Sequence, residues 1–473
     1  IECIPQTFLG NPGFGKTVAC PLTRNGDLIT NMTLVCDVSG TAADRPAAGT
    51  NFASSTVWGS WSWCDNLGHA LIDNVELEIG GSKIDRQYGD FMHVWHSLTN
   101  DGAHSEAFNQ MIGNTSEMRS MSRDTHASKL YIPLQFFCCK NNGLALPLIA
   151  LQYHDVRVNF EFTKGANLVN YVNKAPTVAL SNVELHVDYI FLDTDERKRY
   201  AQSSHEYLIE QVQFTGDETV KGANENIKLN FNHPCKSLIW YVVPDNNTGK
   251  DYLAWDSDEN KILEKNTIMF VLNSAAQVND VTAGAAAAGS MDNGTVNAAN
   301  LGLMKIGTNN AYASGDYSIV NVKGVAVDPR AINADTFDFD DFVVTGPLLP
   351  LEVATTHITA ANQNNTWEAL NVRVNQPLRF ASKLTGAANP VSKALLQLNG
   401  QERFKEMPGA YFNNVQPFQH FPNTAPDGVN VYSFALNPAE HQPSGSCNFS
   451  RIDNAQLVLT LDGITNANQG TLK

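Results

Sequence analysis

Apolar and polar residues alternate along most of this chain with a period of two, which is typical of half-buried β-strands. In residues 75–79, Val, Leu and Ile alternate with two glutamates, and the glycine pair that follows predicts a hairpin. The Asn25-Gly26 dipeptide predicts another hairpin, between residues 17–22 and 28–38. The other runs that predict strands are residues 83–86, 130–137, 146–162, 183–192, 207–214, 227–231, 237–243, 394–398, 431–436 and 455–461.

Helical periodicity is confined to short segments. Asp90 and Ser105 each precede a run with apolar residues at helical spacing, so we expect them to cap two short helices. Residues 193–199 place acidic side chains before basic ones, the charge order that favours a helix. The strand pattern then begins again, so this segment is predicted to connect two domains, residues 1–203 and 204–473.

The two halves of the chain repeat each other weakly. Residues 75–86 have a counterpart in 395–404, because both give a strand, a tight glycine turn and a charged return. A duplicated all-β unit of roughly 200 residues fits a sandwich or a jelly roll. Residues 245–393 interrupt the second half and are rich in Asn, Asp, Gly and Thr, so we expect a large decorated loop there.

Composition narrows the class of protein. The chain has 473 residues, 43% of them hydrophobic and 17% charged, which indicates a globular protein with more than one core. The net charge of −16 argues against direct binding to nucleic acid. Residues 144–151 form the most apolar run, but it contains Pro147 and is too short to span a membrane. The chain begins with Ile1 rather than Met, so we expect its natural N-terminus to lie upstream.

The eight cysteines form no CxxC pair and no zinc-site spacing. We therefore expect buried free thiols in a reducing compartment. Cys138 and Cys139 are neighbours in a predicted strand, so their side chains should point to opposite faces.

Residues 10–17 match the phosphate-binding pattern G-x-x-x-x-G-K-[ST], with Lys16 and Thr17 as the candidate phosphate and magnesium ligands. That chemistry requires a helix to start at the lysine. The residues that follow are rich in β-formers and include Pro21, so we expect a glycine-rich turn between strands instead.

Two clusters have the side chains of a metal site. His93 and His96 lie three apart on a predicted helix, but no nearby ligand completes a site, so packing or surface histidines are favoured. Asp338, Asp340 and Asp341 lack the glycine and glutamate spacing of a calcium loop and favour a solvated acidic loop. We expect no cofactor.

Three glycosylation sequons, at Asn246, Asn293 and Asn364, fall in the long region, where a glycan would face solvent.

Trp58, Trp61 and Trp63 lie close together in the sequence, and their arrangement admits two interpretations. They could anchor a loop on the sandwich below, or form the exposed aromatic platform of a carbohydrate-binding jelly-roll protein. The first is favoured because exposed tryptophan is costly, and the second remains the alternative function.

A set of ordered segments runs through both halves: residues 24–29, 73–81, 84–85, 143–154, 188–194, 205–211, 230–234, 432–436, 442–445 and 447–454. These segments resemble the double jelly-roll major capsid proteins of nucleocytoplasmic large DNA viruses, such as the chlorella viruses, iridoviruses and marseilleviruses. The chain departs from that family after residue 461, where a polar, turn-rich segment replaces the family's final strand. The long region also exceeds that of the chlorella-virus proteins.

The resemblance implies an all-β fold of two consecutive eight-stranded jelly rolls and a structural role without enzymatic activity. It further implies homotrimers with a six-sided outline that tile the icosahedral shell of a double-stranded DNA virus, assembled in the host cytoplasm. Neighbouring capsomers and minor capsid proteins would be the partners, with an internal membrane beneath the shell and no direct contact with nucleic acid. In this family, loops of this kind build the outward surface, which suits residues 245–393.

Overall fold

The computed structural model describes residues 1–42, 60–100, 102–120, 125–172, 175–245, 248–253, 318–321, 342–345, 371–380, 389–462, 464 and 469–473. Antiparallel strands dominate both halves of the chain.

The described residues of the first half form eleven strands and five α-helices. The strands are β1 (Glu2–Gln6), β2 (Thr17–Pro21), β3 (Leu28–Thr41), β4 (Ser60–Trp63), β5 (Ile72–Ile79), β6 (Ser82–Tyr88), β7 (His126–Pro133), β8 (Leu146–Pro147), β9 (Val156–Phe162), β10 (Val169–Val172) and β11 (Thr177–Ile190). The helices are α1 (Leu67–Leu71), α2 (Gly89–Thr99), α3 (Ser105–Met111), α4 (Ser116–Arg119) and α5 (Phe137–Lys140), with 3-10 turns at Asn142–Leu144 and Gly165–Asn167.

Helix α6 (Thr194–Gln202) follows, and strands then dominate the described part of the second half. They are β12 (Glu218–Val220), β13 (Asn224–Lys228), β14 (Pro234–Cys235), β15 (Ser237–Pro244), β16 (Thr248–Leu253), β17 (Ser318–Asn321), β18 (Phe342–Thr345), β19 (Asn371–Asn375), β20 (Val391–Leu398), β21 (Gln401–Glu402), β22 (Met407–Pro408), β23 (Val429–Ser433), β24 (Cys447–Asn448), β25 (Ala455–Leu461) and β26 (Gly470–Leu472). The helical elements are a π-helix (Tyr411–Val415), α7 (Gln416–His420) and a 3-10 turn (Phe449–Arg451).

The same eight-strand topology occurs twice. In the first half, one sheet has the order β1-β11-β3-β7 and the facing sheet the order β2-β9-β5-β6. In the second half the orders are β12-β26-β15-β23 and β13-β25-β20-β21, with β22 also paired to β20. We number the eight strands in the two sheet orders of each half from one to eight along the chain. Both halves then give the sheet orders 1-8-3-6 and 2-7-4-5. Each half is therefore a jelly roll, and the fold is the predicted double jelly roll.

Alternating burial explains why these segments become strands. In β9 all the inward side chains, Val156, Val158, Phe160 and Phe162, are buried, while the residues between them are more exposed. Strand β25 shows the same alternation. Each roll therefore fills the space between its two sheets with one face of every strand, at a gain of about 25 cal/mol per Å² of apolar surface buried.

The long region of the second half leaves and rejoins the roll between its third and fourth strands, β15 and β20. Its first strand, β16, and its last, β19, form a sheet with β10 and β4 of the first half, in the order β16-β19-β10-β4. The base of this region is therefore hydrogen-bonded to the first roll.

The hairpin predicted at Asn25-Gly26 is wrong. Strand β2 pairs with β9 and strand β3 with β11 and β7, so the two strands lie in facing sheets. The intervening residues cross between the sheets, and the Asp27 carboxylate accepts hydrogen bonds from Leu192 N at 2.8 Å and from Arg197 at 2.9 Å. A side-chain carboxylate thus fixes the crossing, which the local turn signal does not reveal.

Two predicted strands, residues 130–137 and 146–162, prove shorter. Strand β7 ends at Pro133, and α5 then places Cys138 and Cys139 on a helical turn with their sulfurs 3.9 Å apart, so the expected strand geometry of this pair is wrong. Strand β8 ends at Pro147, which has no amide hydrogen to continue a ladder.

Residues 207–214 are not a strand. Side chains replace the backbone ladder there: Val212 N donates to Asp85 Oδ1 at 3.1 Å, and the Gln213 amide exchanges two hydrogen bonds with the backbone of Asn232, at 2.8 and 2.9 Å. Apolar residues alternate in this segment because it lies against both rolls, which cover one of its sides without pairing it as a strand.

Smaller corrections concern element ends. Strand β13 ends at Lys228, before the predicted limit of 231. The final strand expected to be missing is present as β26, which pairs with β12 and β15. Tyr88 and His104, rather than Asp90 and Ser105, hold the cap positions of α2 and α3.

A glycine starts the helix between the fifth and sixth strands in both rolls. Helix α2 begins at Gly89, directly after β6, and a helical segment begins at Gly409, directly after β22. A Cβ atom at Gly89 would lie 2.2 Å from the carbonyl oxygen of Ile72, and one at Gly409 would lie 1.8 Å from that of Val391. Ile72 and Val391 are the first residues of the two fourth strands, so this close approach is another element of the repeat.

We predict that Gly89→Ala and Gly409→Ala each lower the melting temperature, because the added methyl group meets a backbone carbonyl that cannot rotate away. The cost should be at least about 1–3 kcal/mol. Gly222→Ala is the matched control, since its nearest neighbour would lie at an ordinary 3.6 Å. Thermal unfolding followed by circular dichroism checks this, and equal melting temperatures for all three variants would contradict it.

Candidate functional site

The two rolls meet along one face of helix α2. Leu98 is fully buried, and its carbonyl oxygen accepts a hydrogen bond from Asn423 N at 3.2 Å. The ring of Trp95 packs edge-on against Phe421, with centroids 6.2 Å apart. The helix therefore presents an aromatic side chain and a backbone carbonyl group of the first roll to the second.

The second roll meets this helix with the outer face of a sheet. Tyr241 on β15 and Val429 and Val431 on β23 are buried and belong to the hydrophobic cluster of the first roll, not to that of the second. The Tyr241 ring lies 4.3 Å from that of Phe380. Burial, together with the nearby Asp90 carboxylate, raises the pKa of the Tyr241 hydroxyl well above its ordinary value. The sheet that contains β15 and β23 is therefore covered on both faces, on the inner face by the core of the second roll and on the outer face by the first roll.

Ion pairs and hydrogen bonds connect the same two rolls at the edge of the apolar contact. Lys473 Nζ lies 2.9 Å from Asp90 Oδ2, and Arg379 donates to Asp65 Oδ2 at 3.1 Å. Asp65 N also donates to the side chain of Gln376 at 2.9 Å. Burial lowers the pKa of Lys473, but the Asp90 carboxylate outweighs it, so the net pKa is raised and the ammonium form is favoured.

Residues 207–214, the segment between the rolls, contribute a further set of contacts. Asp85 is buried; burial raises the pKa of its carboxyl group, and the hydrogen bond from Val212 N opposes that rise. Lys236 forms an ion pair with Glu210 and donates to the carbonyl oxygen of Glu440 at 2.7 Å. A cavity of about 600 Å³ lies beneath this segment, between the two rolls.

The candidate metal ligands His93 and His96 pack into a cluster of rings. Their ring centroids lie 5.8 and 6.4 Å from that of His69, which is fully buried, and His96 stacks on Phe108 at 3.5 Å. Within the part of the chain that the structure describes, no group of three or more His, Cys, Asp or Glu side chains is placed to hold a metal ion. Burial, and then the charge of His96, lowers the pKa of His93 to about 4, so the neutral ring is favoured.

The glycine-rich segment at residues 10–17 leads into a strand. Strand β2 starts at Thr17, and Gly15 N donates to the carbonyl oxygen of Thr163 at 3.1 Å. The Lys16 ammonium group donates back to the carbonyl of Asn11 at 3.3 Å. No helix dipole therefore faces the loop, and the expected strand-connecting turn is confirmed.

Two of the three clustered tryptophans are fully buried. The rings of Trp61 and Trp63 pack edge-on with centroids 5.3 Å apart. A Cβ atom at Gly40 would lie 2.2 Å from the Trp61 ring, so the tryptophan uses the space left by the glycine. The anchoring interpretation is confirmed for these two residues. Trp58 lies outside the described residues, as do Asn246, Asn293, Asn364, Asp338, Asp340 and Asp341.

All eight cysteines are free thiols, and Cys20, Cys36, Cys64 and Cys138 are buried. Cys3 is exposed, contrary to the expectation of burial. Among the described helices, none is long and apolar enough to cross a membrane.

Sequence reasoning missed most of the side chains at the interface. Tyr241, Phe421 and Lys473 were not singled out, because each lies far along the chain from α2. One sequence feature marks the repeat of this helix start: Gly89-Asp90-Phe91-Met92 and residues 409–412 share a glycine, an aromatic residue at the third position and an apolar residue at the fourth.

We predict that acid destabilises the protein through His93. Its folded pKa of about 4 lies below the ordinary 6.5, so the unfolded chain binds more protons between these values and stability falls as pH drops from about 6.5 to about 4. The shift corresponds to roughly 3 kcal/mol at most. Denaturant unfolding across this range should show a weaker pH dependence for His93→Gln.

The exposed His154 provides the control for this measurement. His154→Gln should keep the wild-type pH dependence, and a His93→Gln variant with the same slope as the wild type would rule out the assignment.

Comparison with known proteins places this chain among viral proteins. Residues 1–193 match the family described as "Major capsid protein N-terminus", and residues 196–472 match "Large eukaryotic DNA virus major capsid protein". The major capsid protein of Phaeocystis pouchetii virus is 38% identical over 508 residues, which cover 100% of this chain and 88% of that protein.

Solved structures show the same fold. The PBCV-1 VP54 crystal structure, fitted into a reconstruction of the virophage Sputnik, superposes with a TM-score of 0.57 at 27% identity and covers 100% of this chain and 91% of that one. The Faustovirus major capsid protein gives a TM-score of 0.61 at 11% identity, covering 100% and 88%, and supports the fold alone. These relatives and families are structural proteins, not enzymes. The chain belongs to the major capsid protein family of large eukaryotic DNA viruses.

Proposed function

We propose that three copies of this chain form a capsomer with a six-sided outline, and that many such capsomers tile an icosahedral shell. The observation that carries the proposal is the repeated topology: two rolls of identical strand order lie side by side in one chain. Three chains would then supply six similar columns, and such columns suit hexagonal packing. Residues 1–203 and 204–473 are the proposed rolls.

The surface chemistry supports a shell that does not touch its genome. A net charge of −16 disfavours contact with the phosphate backbone, so the partners would be neighbouring capsomers and minor capsid proteins. An internal membrane would lie beneath the shell, without direct insertion of this chain. Assembly would take place in the host cytoplasm.

The region between β15 and β20 is the proposed outward surface of the capsomer. It interrupts the second roll, and its length separates it from the compact turns elsewhere. Asn246, Asn293 and Asn364 stay predictions of glycosylation; an intact mass of virion protein equal to the bare polypeptide would dispose of them.

The carbohydrate-binding alternative loses its main support, because Trp61 and Trp63 are buried and cannot stack on a sugar.

We predict that sedimentation of the purified protein gives a mass of three times 51.7 kDa, and that its particles show a hexagonal outline in electron micrographs. Large complementary interfaces between rolls provide the physical reason. A stable monomer under all conditions would contradict the proposal, and a monomer that binds glycan would favour the alternative.

A further inference from the structure

The helix that joins the rolls has a counterpart whose matching face is uncovered. Counted from Gly89, the residues Trp95 and Leu98 are six and nine positions along α2. Counted from Gly409, the same positions hold Val415 and Phe418. In the first roll these positions contact the second roll, whereas Val415 is 39% and Phe418 84% exposed.

A third apolar side chain extends this surface. Leu436 is 69% exposed, and its carbonyl oxygen lies 2.9 Å from His420 Nδ1 at the end of α7. Val415, Phe418 and Leu436 together form what we term the apolar patch. Grouped large apolar residues at this exposure mark an interaction site on a soluble protein.

The surface that receives α2 also has a counterpart. In the second roll, Ile239 and Val431 are paired across β15 and β23 and lie on the face that the first roll covers. In the first roll, Val35 and Tyr131 are paired across β3 and β7, on the face opposite the core. Val35 is buried like Val431, but Tyr131 is 39% exposed. We term the surface around Val35 and Tyr131 the first-roll face.

The first-roll face is less apolar than its counterpart. Lys129 and Asp37, two pairs further along the same ladder and therefore on the same face, form an ion pair at 3.8 Å with partly exposed side chains. An aromatic ring with a polar rim is the composition of a contact between separately folded chains, in which the centre is desolvated and the rim stays wet.

We infer that the apolar patch of one chain docks on the first-roll face of a second copy, in the manner in which α2 docks on the second roll within one chain. Both halves of the contact occur on this chain, and each is the repeat-related copy of a surface already joined in the internal interface. A second copy therefore fits better than an unrelated partner. The inference rests on the proposed trimer and assigns its contact surfaces. Such a head-to-tail contact closes when three chains form a ring.

Two charge substitutions test the pairing, with size measured by analytical ultracentrifugation of the full chain. Phe418→Asp and Tyr131→Asp should each leave a folded monomer, because a carboxylate would be buried in the contact. Mixing the two variants should give a species of two chains and no trimer, since one intact patch meets one intact face. Circular dichroism melts matching the wild type show that the loss of assembly is not misfolding.

Tyr153→Asp is the matched control, because Tyr153 is a 93% exposed aromatic residue outside both surfaces. It should retain the trimer. A trimeric Phe418→Asp variant, or a mixture that stays monomeric, would overturn the inference while leaving the proposed trimer in place; the former result would assign the patch to another partner, such as a minor capsid protein. A wild-type chain that never trimerises would instead overturn the proposed function on which the inference depends.

Discussion

One helix face packed against the outer surface of a sheet joins the two rolls. The sheet of β15 and β23 already has its inner face in the core of the second roll, and Tyr241, Val429 and Val431 on its outer face are apolar. Burial of these residues at the contact contributes about 25 cal/mol per Å² of apolar surface. The relative placement of the rolls therefore depends on the same hydrophobic burial that forms each roll.

Backbone geometry permits that contact. Gly89 allows α2 to start against the carbonyl oxygens of His69 in α1 and Ile72 at the start of β5. The helix therefore lies close to its own roll and turns its other face outward. Asp90 and Lys473 then bridge the edge of the contact, joining the start of the helix to the last residue of the chain. Removal of the Lys473 side chain would leave the largely buried Asp90 carboxylate without this partner.

A protein of this kind works through surfaces rather than through a pocket. The loop that matched a nucleotide-binding pattern leads into a strand, the paired histidines pack against rings, and Trp61 and Trp63 lie in the interior. These side chains are of types that can bind ligands or metals, but here they serve in packing and in a turn. In the proposed capsomer, the features that carry function are instead the repeated topology and the faces that the repeat leaves uncovered.

The sequence by itself determined the strand-rich composition, the hairpin of β5 and β6, the connecting helix α6 and, through family motifs, the double jelly roll. These features depend on local periodicity or on long ordered motifs, which are legible along the chain. Only the tertiary structure decided that β2 and β3 face each other in different sheets, that residues 207–214 lie unpaired between the rolls and that Tyr241 meets α2. These outcomes depend on which distant residues cover a given face of a strand. An alternation of apolar and polar residues predicts that one face is covered, but it does not predict which residues cover it.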